Sequence, residues 1–192
     1  MRRAVQRAVR LILSPDEEWR AIAREPQEPW LLLGSFVLPL ACIPAGAWSL
    51  SLSLLGREDG RSGERVTVGL AQIVLGGLSV WAYSVLSVLM LASSTYILAP
   101  LFVDMRDWAR ALKVGAFSAA PVLLGGIILV VPEVSYAILL LAFHSCYLMY
   151  VGLQRVLHVK ERNAAECVAL CIVMFTIAST ALGSLGGALG VL

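Results

Sequence analysis

"VTVGLAQIVLGGLSVWAYSVLSVLMLASSTYILAPLF", residues 66–102, is the stretch whose reading decides the fold. It holds no charge and no turn signal, only Gly76 and Gly77 near its middle. At about 1.5 Å per residue, roughly 36 residues make a helix roughly 54 Å long. A bilayer's hydrocarbon core is only about 30 Å thick. Either one long, tilted helix protrudes at one end, or two short spans form a hairpin. The flanking charges settle the choice. Four further apolar runs lie at about 30–55, 112–131, 134–157 and 164–192. With 66–102 as a single helix, one side of the membrane receives Arg2, Arg3, Arg7, Arg10, Arg20, Arg24, Arg106, Arg110, Lys113, Arg155, Lys160 and Arg162. The other receives Arg57, Arg61 and Arg65 alone. A hairpin would move six basic residues to the poorer side. The positive-inside rule therefore predicts five spans, with the N-terminus in the cytoplasm and the C-terminus outside.

Composition points the same way. Of 192 residues, 59% are hydrophobic and 15% charged, against about 45–50% and about 25% in a soluble domain. The expected fold class is all-α: a polytopic inner-membrane protein with five transmembrane helices and an N-terminal interfacial amphipathic segment. Residues 1–29 form that cytoplasmic segment and residues 30–192 the five-helix domain. MRRAVQRAVRLIL (1–13) is basic but lacks the apolar core and small-residue cleavage site of a signal peptide. The first span is thus expected to direct insertion. A net charge of +2, with no arginine–aromatic interleaving, does not suggest nucleic acid. Cys42, Cys146, Cys167 and Cys171 fall in or beside apolar runs, which argues against a disulfide framework.

"LSPDEEWRAIAREP", residues 13–26, is the charged exception. Ser14 suits an N-cap, Pro15 the first helical position, and Glu17 completes a capping box. Acidic Asp16, Glu17 and Glu18 sit at the positive end of the helix dipole, with Arg20 and Arg24 toward its negative end. Trp19, Ile22 and Ala23 share a face, and Pro26 ends the helix. Upstream, Val5, Val9 and Ile12 form one stripe and Arg3, Arg7 and Arg10 another. Two short surface helices are predicted, with Trp19 and Ile22 at headgroup level and Arg3, Arg7 and Arg10 meeting anionic lipid. The near balance of six basic and five acidic residues up to Glu28 also suits docking of another protein.

"SPDEEWRAIAREP" followed by "FVLPLACIPA" resembles the Yip1-domain family, in particular its bacterial branch. "ILAPLF", "ALKVGAFSAAPVLLGGIILVVP" and "YLMYVGLQRVL" follow in the same order, so the likeness runs over roughly residues 11–165. It implies five spans and a membrane, not an activity. Four places depart from the family pattern. Val103 and Asp104 replace a common Gly-Gly pair; Phe117 stands where tyrosine is frequent, with His144 near a second such tyrosine; and Gly152-Leu153-Gln154 replaces Gly-Leu-Pro. Eukaryotic members are associated with vesicle traffic and Rab-type GTPases through a much longer N-terminus, so that partner is not carried over.

Few residues suggest chemistry. No span holds Asp, Glu, Lys or Arg in its middle, which weakens an ion-coupled transporter. Ser79, Tyr83 and Ser87 recur every four residues down the second span, and His144 lies deep in the fourth. These four form a candidate polar cleft, though each also suits a hydrogen bond to a neighbouring helix. Cys167 and Cys171 share a helix face where a soft metal or plain apolar packing would fit. Gly183, Gly186, Gly187 and Gly190 make a small-residue ridge for close helix packing, within the bundle or against another chain. Pro39, Pro44 and Pro121 are expected to kink their helices. There is no nucleophile–base constellation and no phosphate-binding glycine loop, so neither catalytic, cofactor nor metal residues are assigned. The expected function is a non-enzymatic scaffold or accessory subunit that sits in the lipid bilayer and binds a membrane-protein partner or itself. The alternative is a small transporter, channel or lipid-handling protein built on the polar cleft.

Overall fold

The computed structural model describes residues 1–26, 28–58 and 65–188. Five helical stretches are long and apolar enough to cross a bilayer: Pro29–Leu55, Leu70–Leu101, Trp108–Val130, Ile138–Val156 and Glu161–Ser184. The protein is an all-helical, multi-pass membrane protein. Two helices precede the spans, α1 (Arg2–Leu13) and α2 (Pro15–Arg24). The first span comprises α3 (Pro29–Leu32), a π-helical turn (Leu33–Val37) and α4 (Leu38–Leu55). The deciding stretch is one helix, α5 (Leu70–Leu98), finished by a 3-10 turn over Ala99–Leu101. Before it, a two-residue antiparallel ladder pairs Arg57 with Val66 and Glu58 with Arg65. The third span contains α6 (Trp108–Ser118), α7 (Ala120–Gly125) and a 3-10 turn; α8 (Ile138–Val156) is the fourth and α9 (Glu161–Ala188) the fifth.

The breaks within spans have local causes. Pro39 lacks the N–H that would bond back to Ser35, and the preceding turn widens into the π-helix Leu33–Val37. Pro121 falls where α6 gives way to α7. Pro44 is accommodated inside α4.

In lipid, apolar residues gain little by leaving the solvent, so helices associate through close packing at small residues. A methyl group added at Gly115 of α6 would stand 2.8 Å from the Ala92 backbone nitrogen of α5, and one at Gly126 would stand 2.5 Å from Pro44 Cβ. Gly77 faces Ser49 of α4 in the same way. Burial ranks the spans: 56% of the third span's most apolar window is inside the protein, against 11% of the second's. The third span is therefore the centre of the bundle. Leu70, Val74, Leu75, Leu78 and Ile97 of α5 point outward, as lipid-facing residues should.

Candidate functional site

The charged N-terminal helices do not float beside this bundle. The buried core runs without interruption from Ala4, Ala8, Leu11, Trp19 and Ile22 to Phe36, Phe117, Leu148 and Leu153. α2 packs on α8, and α1 packs on α7 and α4.

Helix α2 starts where the sequence places it, with Ser14 at the N-cap and Pro15 next, but the Ser14 side chain makes no capping bond. Trp19 and Ile22 are both 0% exposed. The expectation that they anchor in the headgroups is corrected here. Their faces turn into the bundle because Gly152 of α8 leaves a cleft for the indole, where an added methyl would stand 2.7 Å from the ring. Phe117 meets Trp19 edge-on at 6.1 Å, and Phe36 packs on Phe117 at 4.5 Å.

Arg7 is likewise turned inward and is not a lipid contact. Its Nη1 lies 2.8 Å from Glu25 Oε2, its Nε forms an ion pair with Glu18 Oε1 at 3.1 Å, and its Cζ stands 5.1 Å from the Phe117 ring centroid. A guanidinium removed from water needs such partners, and an aromatic face supplies part of the compensation. The buried stripe of α1 is Ala4, Ala8 and Leu11, while Val9 and Leu13 stay exposed, as do Arg3 and Arg10.

Lys113 of α6 closes the other end of α2. Its side chain is buried, and Nζ donates to the carbonyl oxygens of Ile22 at 3.2 Å and Glu25 at 2.5 Å. An ammonium thus meets the unpaired carbonyls at the negative end of a helix dipole. At the first turn, Arg155 of α8 donates through Nε and Nη2 to Asp16 Oδ1 at 3.0 and 2.8 Å, and Arg20 Nη2 donates to Asp16 Oδ2 at 2.9 Å. The Arg155 hydrogen bond, with Arg20 beside it, holds the Asp16 carboxyl below its ordinary value of 3.8.

Between α2, α6 and the end of α8 opens a cavity of about 290 Å³, lined by Arg20, Arg24, Arg110, Arg155 and His158 among others. Asp107 caps α6 by accepting from the Arg110 amide and pairs with its guanidinium at 3.2 Å. His158 has a left-handed backbone, φ 57°, where α8 turns toward α9, and the Val159 amide donates back to the Leu153 carbonyl.

The remaining sequence candidates lie elsewhere. Ser79 donates to Leu75 O, and Ser84, Ser93, Ser94 and Thr95 do the same to carbonyls four residues back. Tyr83 points outward and Ser87 is half-buried. The structure does not gather them around His144: α5 packs chiefly on α4, α6 and α9, whereas α8 packs on α2, α6, α7 and α9. The His144 ring stands 5.9 Å from Tyr147 on its own helix. Cys167 and Cys171 are buried, and Thr95 of α5 lies against Cys171. No cluster of three or more His, Cys, Asp or Glu suited to a metal occurs among the described residues. Gly183 faces open space. Gly186 and Gly187 are described only as part of α9, and Gly190 lies outside the described residues.

A family model described as "Yip1 domain" matches residues 9–183, nearly the whole chain. The chain belongs to the Yip1-domain family. No curated protein and no solved structure matches it. The match begins inside α1, so the Yip1 domain of this chain takes in α2 and its Asp16–Arg155 pair as well as the five spans. Four residues that the sequence marked only as departures from a pattern or as basic charges hold this end of the Yip1 domain together: Gly152, Phe117, Lys113 and Arg155. A lysine near the start of an apolar run was the one available signal, because a charge there needs a specific partner.

Proposed function

We propose that this Yip1-domain protein is a non-enzymatic scaffold or accessory subunit of the inner membrane. Its basic end faces the cytoplasm and its C-terminus the outside, the sense favoured by twelve of the fifteen basic residues. One observation carries the reading. Helix α2 is fixed on its inner face by Trp19, Lys113 and Arg155, while Glu17 and Ala21 remain exposed on its outer face and Arg20 and Arg24 along its exposed edge over the cavity. A rigid helix showing interspersed charges of both signs is a surface that another protein reads through electrostatic complementarity. Residues 1–29 then serve as the docking segment and residues 30–192 as its membrane-embedded support. The outer face of α1, with Val9, Leu13, Arg3 and Arg10, rests against the lipid interface. The glycine ridge of α9 offers a second approach, since Gly183 has room for a helix from another chain.

A photo-crosslinking residue at Ala21, with one at lipid-facing Ile177 as control, tests this in native membranes. The expected result is one polypeptide of defined mass joined at Ala21, lost when Trp19→Ala frees the helix. Crosslinks to lipid alone, together with native mass spectra free of any foreign polypeptide, would remove the scaffold reading.

A second reading, a small transporter, channel or lipid-handling protein, has its own support. His144 Nε2, Ser145 Oγ and Ser179 Oγ are buried in α8 and α9 without hydrogen-bond partners among the described residues, and such groups invite a polar guest. Under that reading His144→Phe abolishes transport and leaves assembly intact.

A further inference from the structure

The cavity at the basic end has a charge imbalance that the fold does not use. Arg20, Arg24, Arg110 and Arg155 converge on it from three helices. Two carboxylates accompany them: Asp16, shared by Arg20 and Arg155, and Asp107, paired with Arg110. Four guanidiniums against two carboxylates leave a net +2. Arg24 has no carboxylate partner among the described residues. Each guanidinium carries five N–H donors in a planar fork, and Asp16 accepts only two from Arg155 and one from Arg20. Apart from the contacts of Arg110 with Asp107 and with Met105 Sδ, no further acceptor meets these donors among the described residues.

Two further features describe the site. His158 reaches the cavity from a left-handed backbone position, a conformation that costs a non-glycine residue about 1–2 kcal/mol. Glycine would hold that turn without strain, so the imidazole is retained at some cost to the backbone. Trp108 opens the third span two residues before Arg110 and is partly exposed. Tryptophans at span ends sit at headgroup level, which places the cavity beside lipid phosphates and open to soluble ones.

We propose that this cavity binds a phosphomonoester dianion, gripped by Arg24 with the free edges of Arg20, Arg110 and Arg155 and faced by His158. The doubly charged group matches the +2 excess, and its three oxygens accept forked guanidinium donors. At about 290 Å³ the cavity lies at the small end of ligand pockets. It suits a compact headgroup or small phosphate ester and not a large cofactor. This site does not rest on the docking role of α2.

The test uses the full chain in nanodiscs of phosphatidylcholine doped with phosphatidic acid, a phosphomonoester, or with phosphatidylglycerol, a singly charged diester. Thermal stability and lipid retention in native mass spectra are the readouts. Phosphatidic acid is expected to bind about tenfold more tightly than phosphatidylglycerol, and Arg24→Gln to abolish that preference. Because Arg24 has no carboxylate partner, the unliganded variant should melt with the parent. His158→Gly keeps the turn and should weaken binding several-fold, while Arg162→Gln, exposed at the start of α9 and outside the cavity, should change nothing. Inorganic phosphate added to undoped nanodiscs identifies the source. Stabilisation by phosphate alone means that a soluble ester suffices, and a need for phosphatidic acid means a lipid headgroup. Either supports the site. Equal binding of the two lipids, no response to phosphate or phosphatidic acid, or an equal loss in Arg162→Gln would overturn it, and the first two are read on the unmutated protein.

Discussion

Helix α2 and helix α5 both look amphipathic in sequence, one through charges and the other through hydroxyls, and the protein treats them in opposite ways. Charged side chains on and around α2 reach across space. Asp16 takes Arg155 from α8, and Lys113 of α6 donates to the Ile22 and Glu25 carbonyls. On α5 the hydroxyls of Ser79, Ser84, Ser93, Ser94 and Thr95 each donate to a carbonyl four residues back on their own helix. Side-chain length explains the difference. A serine hydroxyl is short, so on α5 its nearest acceptor is the i−4 carbonyl, and only a close approach such as that of Ser49 of α4 to the Ile73 carbonyl lets it cross. Arginine and lysine can span the gap between helices, and the buried charge of Lys113 requires that it find a partner. Polarity on a helix face is thus a poor guide to a cleft unless the side chains are long enough to leave the helix.

The largest test of this contrast is Trp19→Ala, which empties the site that holds α2 against Phe117 and Gly152. A loss of about 3–5 kcal/mol is expected in denaturant unfolding in mixed micelles, with α1 and α2 becoming sensitive to protease before the spans. An unchanged unfolding curve would mean that α2 is not part of the core. Arg7→Ala comes next, at about 2 kcal/mol, because it leaves Glu18 and Glu25 without their partner. Arg7→Lys should recover only part of this, since an ammonium cannot serve both carboxylates and the Phe117 face as a planar fork does.

Asp16 gives a smaller effect with a defined pH signature. Its folded value lies below the ordinary 3.8, so its contribution is complete above that value and declines as pH falls through the lower folded one. Melting temperature measured from pH 7 to pH 3 should therefore fall more steeply near the acid end in the parent than in Asp16→Asn. Parallel curves would show that the Arg155 link does not steady α2. The smallest effect belongs to α5: Ser79→Ala should change stability by no more than about 0.5 kcal/mol, as its hydroxyl serves only Leu75 O. A loss above 1.5 kcal/mol would instead mark it as an interhelical contact.

Much of the architecture is legible without coordinates, and the reasons are particular. Most of residues 66–102 form one helix, Leu70–Leu98, because nothing within that run breaks it, and the distribution of basic residues argued against a hairpin. Helix α2 begins after Ser14 because Pro15 fixes the first turn. Pro39 and Pro121 mark the irregular points of the first and third spans. The candidate sites were less legible. The spacing of Trp19 and Ile22 announces an apolar face correctly, but a face suited to headgroups and a face suited to a protein groove share one pattern. The deciding residue, Gly152, lies 133 positions away and has no side chain to advertise its role. In α1 the periodic Val5, Val9 and Ile12 outscored the alanines, yet Ala4 and Ala8 are buried, because small residues let α1 lie close to α7 and α4.

The sequence by itself determined the solvent of this protein, the number and length of its spans, the start of α2 and its family, because these depend on local composition, helix rise and the position of prolines. The tertiary structure alone decided that α1 and α2 are part of the core, that Lys113 ends α2, and that four arginines from three helices share one cavity. Those facts depend on which helices meet and at what height. Side-chain periodicity gives each helix a direction to face, while the partner it faces is set only when the close contacts at Gly115, Gly126 and Gly152 bring the chain together.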